Sequence, residues 1–236
     1  MQETILIIDF GSQYTQLIAR RIRELHVYCE IHPYNHLPAL NDNIRGIILS
    51  GSPHSVKEND APEIQLEPFL GKIPLLGVCY GAQYFAEKLG GRVNRSDKRE
   101  YGRSFLHPVH KSRLLNRIPE KSQVWMSHGD TIAAVPPEYV ITAETVDIPV
   151  AAFEHSTWPV FGIQFHPEVT HSADGKQLLQ NFVYDICGCS GNWTPESFIG
   201  RSIASLRQTV GSDRVVLGLS GGVDSSVAAL LLHEAI

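Results

Sequence analysis

The sequence predicts an α/β fold built on a mixed, mainly parallel sheet with flanking helices. Short apolar runs alternate with helical patterns, beginning with the run Thr4–Asp9 and a helix over 14–25. Polar turns containing glycine follow directly on these runs, as expected at the carboxyl edge of a parallel sheet. After Gly90 the pattern changes to shorter stretches, which are typical of antiparallel strands.

The remaining elements follow from the same patterns. Further strands of the parallel part are predicted at 27–31, 46–50 and 73–78, and a second helix at 82–89. The shorter strands are predicted at 124–126, 139–142, 150–153 and 160–163, and the next helix at 175–186.

A domain boundary is predicted in the glycine-containing stretch 187–193. Thr194, Pro195 and Glu196 then form a helix start, and this helix is predicted to run to Val210. A strand at 215–219 and a helix at 227–236 follow. One strand and two helices cannot bury a core of their own. We therefore divide the chain into a domain at 1–189 and an incomplete α/β nucleotide-binding segment at 190–236.

Composition excludes several classes of function. The chain has 43% apolar residues, 19% charged residues and a formal net charge of −5, which gives no electrostatic reason to expect nucleic acid or an anionic membrane as partner. No apolar run approaches the roughly 18 residues of a membrane span. The N-terminus enters the first strand without a basic segment or cleavage site, so no signal peptide is predicted.

Cysteine usage predicts a cytoplasmic protein. The four cysteines, Cys29, Cys79, Cys187 and Cys189, do not form a secreted-type disulfide framework at this length. Cys187 and Cys189 could be half of a metal site, but no second ligand cluster lies nearby in sequence. We interpret both as ordinary thiols near a helix end, and we predict no metal site.

The stretch Leu76-Gly77-Val78-Cys79-Tyr80-Gly81 carries the first chemical signal. A strand stops at a cysteine with a glycine two residues to either side, and a helical stretch follows. This is the context of a nucleophile elbow, with cysteine in place of serine. The helix N-terminus would favour a thiolate there. The alternative is a buried structural cysteine.

A base for this cysteine is predicted at His166-Pro167-Glu168, which follows the strand at 160–163. The i, i+2 spacing places both ionisable side chains on one side of an extended segment, where the carboxylate can hold one imidazole nitrogen. The other nitrogen can then deprotonate Cys79. The alternative is that His166 is merely one of eleven histidines. We predict a solvent-exposed role for His54, His107, His110 and His155.

The stretches 77–83 and 164–168 resemble class I (triad) glutamine amidotransferases, in which a cysteine attacks the side-chain amide of glutamine. The resemblance implies that Cys79 is the nucleophile, His166 the base and Glu168 its orienting acid. It also implies that Gln83 helps to hold glutamine.

The resemblance further implies an oxyanion hole built from backbone N–H groups at Tyr80 and in the turn that contains Gly51 and Ser52. The family usually has Gly-Gly-Pro in this turn, and here Ser52 stands at the second glycine. A positive φ at Ser52 would be strained. The turn therefore either uses a φ that serine tolerates or re-aims the oxyanion hole slightly, and we expect function to persist.

A second signal lies between the strand at 215–219 and the last helix. Its residues are Ser220, Gly221, Gly222, Val223, Asp224, Ser225 and Ser226. Glycines after a strand let backbone N–H groups surround an anion, and a helix N-terminus adds positive potential. The stretch resembles the pyrophosphate-binding loop of N-type ATP pyrophosphatases, with Asp224 orienting the loop or meeting Mg²⁺. The alternative is a plain Gly/Ser turn.

A triad glutaminase followed by this loop resembles the glutamine-hydrolysing GMP synthase family, as do the stretches 9–17, 125–130 and 166–171. The resemblance implies glutamine as substrate of this chain, with ATP, Mg²⁺ and XMP needed for the complete enzyme. The glutaminase half would need no cofactor, and residues 125–130 would lie near its pocket. A homodimer formed through a region beyond Ile236 is also implied.

Two alternatives stay open at the level of sequence. The amidotransferase could serve another acceptor, as in chorismate or carbamoyl phosphate chemistry, although the pyrophosphatase-like loop argues against this. The chain could instead be a regulatory module that docks on a synthetase and turns over little glutamine by itself.

Overall fold

The computed structural model describes residues 2–236, except for the side chains of residues 96–100. The first elements in chain order are β1 (Thr4–Asp9), α1 (Thr15–Glu24), β2 (Tyr28–Pro33), β3 (Ile44–Leu49), β4 (Leu75–Val78) and α2 (Tyr80–Lys88). They are followed by β5 (Arg92–Phe105), β6 (His107–Pro108), β7 (Gln123–Ala134), β8 (Tyr139–Glu144), β9 (Ala152–His155), β10 (Val160–Ile163), α3 (Gly175–Gln180) and a π-helix (Asn181–Ile186). The last two helices are α4 (Pro195–Val210) and α5 (Val223–Ala235).

The central sheet has eight strands in the order β2-β1-β3-β4-β10-β9-β8-β6. The pairs from β2 to β10 are parallel, and those from β10 to β6 are antiparallel. The predicted mixed, mainly parallel sheet is therefore confirmed. Because β10 lies beside β4 in parallel, the segments that follow these two strands emerge at the same edge of the sheet.

Both faces of the sheet are buried, which explains the continuous apolar run of β1. Ile5 and Ile7 belong to the core beneath α1, together with Ile18 and Ile22 of that helix. The intervening residues of β1 belong to a second core, which contains Phe85 of α2. Successive side chains of a strand point to opposite faces, so one strand serves two cores.

The long two-stranded sheet of β5 and β7 was not fully predicted. Only three residues of β7 were expected to be extended, and β5 is rich in charged residues. The two strands pair antiparallel with a register that includes Arg103 opposite Trp125. Cross-strand hydrogen bonds hold β5 extended although its own sequence does not favour a strand.

Two compact units are distinguished, of which the first ends at Gly191 and the second spans Asn192–Ile236. In the second, Thr194 caps α4 and forms a capping box with Ser197, so the predicted helix start is confirmed. The predicted strand at 215–219 is wrong. Val216 is 97% exposed, and no described residue pairs with this stretch as a neighbouring strand, which a strand needs for its backbone hydrogen bonds. Helix α5 also begins earlier than predicted, at Val223.

None of the helices within residues 2–236 combines the length and the apolar character that crossing a membrane requires.

Candidate active site

Cys79 occupies a strained backbone conformation between β4 and α2. Its φ is 53° and its ψ is −106°, a region that L-residues rarely adopt. A Cβ added at Gly77 would lie 2.6 Å from the carbonyl carbon of Gly81, and one added at Gly81 would lie 2.6 Å from the carbonyl oxygen of Leu49. The flanking glycines are therefore required by close backbone contacts, and the predicted tight turn is present.

His166 and Glu168 lie at the same sheet edge as Cys79. The backbone N–H of Cys79 donates to the carbonyl oxygen of Ile163, the last residue of β10, at 2.8 Å. His166 Nδ1 lies 2.7 Å from Glu168 Oε1, and both side chains are buried. A carboxylate only accepts hydrogen bonds, so Nδ1 carries the proton. Nε2 is then left for Cys79, which is close enough to raise the pKa of His166. The Sγ atom of Cys79 lies 3.7 Å from the carbonyl oxygen of Ser127.

The pKa of His166 reflects opposing effects. Burial, the largest of them, acts to lower it, but the charge and hydrogen bond of Glu168 and the interaction with Cys79 together raise the pKa of His166 well above its ordinary value. This arrangement makes His166 a stronger base toward the thiol than a free imidazole would be.

Backbone contacts fix the loop that carries this pair. The hydroxyl of Ser172 donates to the carbonyl oxygen of His166 at 2.5 Å and accepts from the N–H of Trp125 at 3.1 Å. The Nε of Arg21 donates to the carbonyl oxygen of Glu168 at 2.9 Å. Helix α1 and strand β7 therefore both hold the segment in place. Sequence reasoning missed Arg21 and Ser172, because neither lies in a recognisable motif.

The turn after β3 faces the same space. Gly51 lies so close to His166 that a Cβ there would be 3.5 Å from the ring carbon Cε1. Ser52 is not among the residues with positive φ, so the turn uses a conformation that serine tolerates. The N–H groups of Gly51, Ser52 and Tyr80 donate to no acceptor within residues 2–236, and that of Tyr80 stands at the start of α2, where helix N–H groups lack intrahelical acceptors.

Gln83 is buried in the wall of the same space. Its Nε2 donates to the carbonyl oxygen of Asp130 at 2.8 Å and lies 3.5 Å from Gln164 Oε1. Gln164 in turn accepts from the N–H of Ile132 at 3.1 Å and donates to the carbonyl oxygen of Val150 at 2.7 Å. The two amides join α2 to strand β7, whose Ser127–Asp130 segment forms the opposite wall.

These residues surround a cavity of about 770 Å³. The stretch 125–130 was predicted to lie near the pocket, and residues 127–130 of it line the cavity, whereas Trp125 and Met126 do not. The lining also includes two residues of β5 that were missed with that strand, Arg95 and Tyr101. Burial lowers the pKa of His128 to about 4, so this side chain is neutral at physiological pH. Arg95 is the only lysine or arginine among the described side chains of the lining.

One predicted surface histidine is buried. His155 is 7% exposed, and its Nδ1 accepts hydrogen bonds from the backbone N–H groups of Thr157 and Trp158 at 3.1 and 3.0 Å. The solvent-exposed interpretation of His155 is therefore wrong, because a local turn supplies the ring with backbone donors. His54 and His110 are exposed, and His107 is half-buried.

Cys187 and Cys189 are both buried directly after the π-helix. Burial raises the pKa of Cys189 to about 12 and that of Cys187 well above its ordinary value. Both thiols therefore stay protonated at neutral pH, which is consistent with ordinary core thiols.

The glycine-rich loop of the second unit leads into α5. Gly221 has a φ of +81°, and Gly222 is the N-cap of the helix. The hydroxyls of Ser225 and Ser226 donate to the carbonyl oxygen of Gly222 at 3.0 and 2.9 Å, and Ser220 Oγ lies 3.0 Å from Ser225 Oγ. Val223 and Asp224 form the first turn of α5. The loop is exposed, and its backbone curls at the positive end of a helix.

Replacing Glu168 with glutamine should lower the pKa of His166. The substitution removes the negative charge that favours the imidazolium, while the burial that opposes it remains. We expect NMR titration of the His166 ring to show a pKa below that of the unsubstituted protein, and the rate of any His166-dependent reaction to fall by roughly 10²-fold or more. A pKa that does not change would contradict the role of Glu168.

The fold and the site define the class of protein. Residues 6–186 match the sequence model of the family "Glutamine amidotransferase class-I". The chain therefore belongs to the class-I glutamine amidotransferases. Residues 198–236 match a second family, NAD synthase.

Curated relatives of this chain carry the name of one particular glutamine amidotransferase. The chain is 60% identical over 237 residues to a protein of Cytophaga hutchinsonii named GMP synthase [glutamine-hydrolyzing], and this match covers 100% of the chain but 47% of the relative. It is 53% identical over 237 residues to the Bacteroides fragilis protein of the same name, with the same coverage. The chain thus spans about half the length of the curated relatives it matches.

Two solved structures support the fold. A Thermoplasma acidophilum protein, described provisionally as one subunit of a GMP synthase, is 31% identical with a TM-score of 0.70, and the match covers 79% of this chain and 94% of that protein. A glutamine amidotransferase of Thermotoga maritima is 19% identical with a TM-score of 0.65, and the match covers 80% of this chain and 100% of that protein. At that identity the second likeness concerns the fold alone.

Proposed function

We propose that residues 1–189 of this chain hydrolyse glutamine and supply ammonia for a GMP synthase reaction. The observation that carries the proposal is the buried Cys79–His166–Glu168 arrangement at the end of two adjacent parallel strands. Its Nδ1–Oε1 distance of 2.7 Å is suitable for a base held by a carboxylate. The high identity to named GMP synthases supports the choice of acceptor reaction.

In the proposed mechanism, His166 Nε2 takes the proton of the Cys79 thiol, and the sulfur attacks the amide carbon of glutamine. The carbonyl oxygen becomes an oxyanion, which the N–H groups of Tyr80 and of the turn at Gly51 and Ser52 stabilise. His166 then gives its proton to the leaving nitrogen, so that ammonia departs and a thioester remains on Cys79. Water activated by His166 hydrolyses the thioester and releases glutamate.

The charges of the cavity suit a free amino acid. Asp130 of β7 and Arg95 of β5 are cross-strand partners, so their side chains leave this two-stranded sheet on the same face. A carboxylate and a guanidinium side by side complement the α-ammonium and α-carboxylate of glutamine. We assign Asp130 to the α-ammonium, with Gln83 positioning the wall that carries it through its bond to the Asp130 carbonyl oxygen.

The segment 190–236 is proposed to begin the synthetase domain. Its exposed loop, residues 220–226, would bind the pyrophosphate portion of ATP through backbone N–H groups and the serine hydroxyls, with Asp224 orienting the loop or meeting Mg²⁺. In the complete enzyme ATP would adenylate XMP, and ammonia would displace AMP to give GMP. We further propose a cytoplasmic location and a homodimer, which rest on the family resemblance.

The acceptor can be tested by joining this chain to the remaining C-terminal part of the Cytophaga hutchinsonii relative, of which the chain covers 47%. Glutamine labelled with ¹⁵N at the amide, supplied with ATP, Mg²⁺ and XMP, is expected to give GMP labelled at its exocyclic nitrogen, detected by mass spectrometry. Asp224→Ala should abolish the label in GMP while glutamine hydrolysis continues. Label found in another acceptor, or none in GMP, would contradict the proposed reaction.

A further inference from the structure

The oxyanion turn and the opposite wall of the cavity are joined by one short hydrogen bond. Ser55, three residues beyond Ser52, donates its hydroxyl to Asp130 Oδ2 at 2.5 Å. The partners lie 75 positions apart in sequence. The bond therefore fastens the loop that follows the turn to strand β7.

The hydroxyl of Ser55 is held in this orientation from within its own loop. Its oxygen accepts a hydrogen bond from the backbone N–H of Lys57 at 3.1 Å, which leaves the hydroxyl proton for Asp130. The Lys57 side chain pairs with Glu87 of α2 at 2.6 Å, which adds a further attachment of the loop.

The bond occupies only one oxygen of the Asp130 carboxylate. No described residue donates to Oδ1, and Oδ1 is not among the fully buried atoms that lack a partner. Asp130 is 6% exposed and lines the cavity. Oδ1 is therefore left facing the cavity while Oδ2 is fixed. A carboxylate held in this way can bind a cation in one defined orientation.

We propose that Ser55 is a positioning residue for substrate recognition. It holds Asp130 so that Oδ1 meets the α-ammonium of glutamine, and it ties this contact to the loop that follows the oxyanion turn. The proposal rests on the proposed glutaminase function and on the assignment of Asp130 made above. Ser55 itself lines the cavity, and in this proposal it acts through Asp130.

The test compares two substrates in the chain as it stands. For Ser55→Ala we expect the KM for glutamine to rise roughly tenfold, because a charge-assisted hydrogen bond is lost, with kcat within about twofold. For 5-amino-5-oxopentanoate, which lacks the α-ammonium, the substitution should leave kcat/KM unchanged. Ser55→Thr retains the hydroxyl and should restore the KM.

Ser112→Ala is the matched control. Ser112 donates to Glu154 Oε2 at 2.6 Å outside the cavity, so its loss removes a comparable serine–carboxylate bond without affecting the KM. In an Asp130→Asn background, Ser55→Ala should have no further effect on glutamine affinity. An equal loss for both substrates, or an unchanged KM, would overturn the proposal.

A wrong assignment of the glutaminase function would give a different result from a wrong assignment of Ser55. In the first case the unsubstituted chain would release no ammonia from glutamine. Calorimetry would then compare glutamine binding by Cys79→Ala and by Cys79→Ala with Ser55→Ala, since neither measurement needs turnover. A Kd roughly tenfold higher in the double variant would support the role of Ser55, and equal Kd values would overturn it.

Discussion

Cys79→Ala is expected to reduce glutamate release from glutamine by roughly a thousandfold or more, because removal of the nucleophile leaves only positioning and oxyanion stabilisation. The fold should be retained, since alanine removes a single atom from a side chain that is 4% exposed. Glutamate formation is measured enzymatically at saturating glutamine, and circular dichroism verifies the fold. Undiminished release by Cys79→Ala would exclude the proposed mechanism.

The other three cysteines provide an internal control. Burial raises the pKa of Cys29 to about 11 and that of Cys189 to about 12, and it raises the pKa of Cys187 as well. These thiols are protonated at neutral pH and therefore poor nucleophiles. Iodoacetamide at pH 7 should thus modify Cys79 alone in the folded protein, and peptide mapping would detect any other modified site.

Gly81→Ala should be among the most destabilising single substitutions in the first unit. The new Cβ would lie 2.6 Å from the carbonyl oxygen of Leu49 and 2.7 Å from its Cβ. Backbone atoms of a central strand cannot move aside cheaply, so we expect a loss of about 3 kcal/mol in the free energy of unfolding. Urea denaturation followed by circular dichroism measures this loss.

Gly129→Ala provides the control for this substitution. Nothing lies within 4 Å of the Cβ that would be added there, and Gly129 does not have a positive φ. Its free energy of unfolding should therefore stay within about 0.5 kcal/mol of the unsubstituted value. Equal effects of the two substitutions would show that the close approach at Gly81 is not what the elbow requires.

The parallel half of the sheet could be predicted because burial on both faces leaves continuous apolar runs. Strand β1 was predicted with the bounds Thr4–Asp9 that the structure shows. The predicted bounds of β10, 160–163, also agree with the structure. In both strands the local sequence and the tertiary environment favour the same conformation.

The two-stranded sheet of β5 and β7 could not be predicted in the same way. Arg92–Phe105 is extended because β7 supplies its hydrogen bonds, and no periodicity in a charged segment reveals such a partner. The error at 215–219 has the opposite cause. That apolar run has a strand composition but lacks a neighbouring strand among the described residues, and without ladder bonds an apolar run stays irregular.

Within the candidate site, sequence reasoning reached the residues that stand in motifs and missed those that act through tertiary contact. His166 and Glu168 are two positions apart, so their 2.7 Å bond follows from local geometry. Ser55 and Asp130 are brought together only by the fold. No spacing rule could have joined them.

The position of β10 has a consequence for how the protein becomes reactive. This strand lies between β4 and β9, and it delivers His166 to Cys79 from a point 87 positions later in the chain. A nascent chain that has not yet emerged past β10 carries the cysteine without its base. Contacts between such distant segments form late in folding. The step that adds β10 to the sheet is thus also the step that brings the base to the thiol.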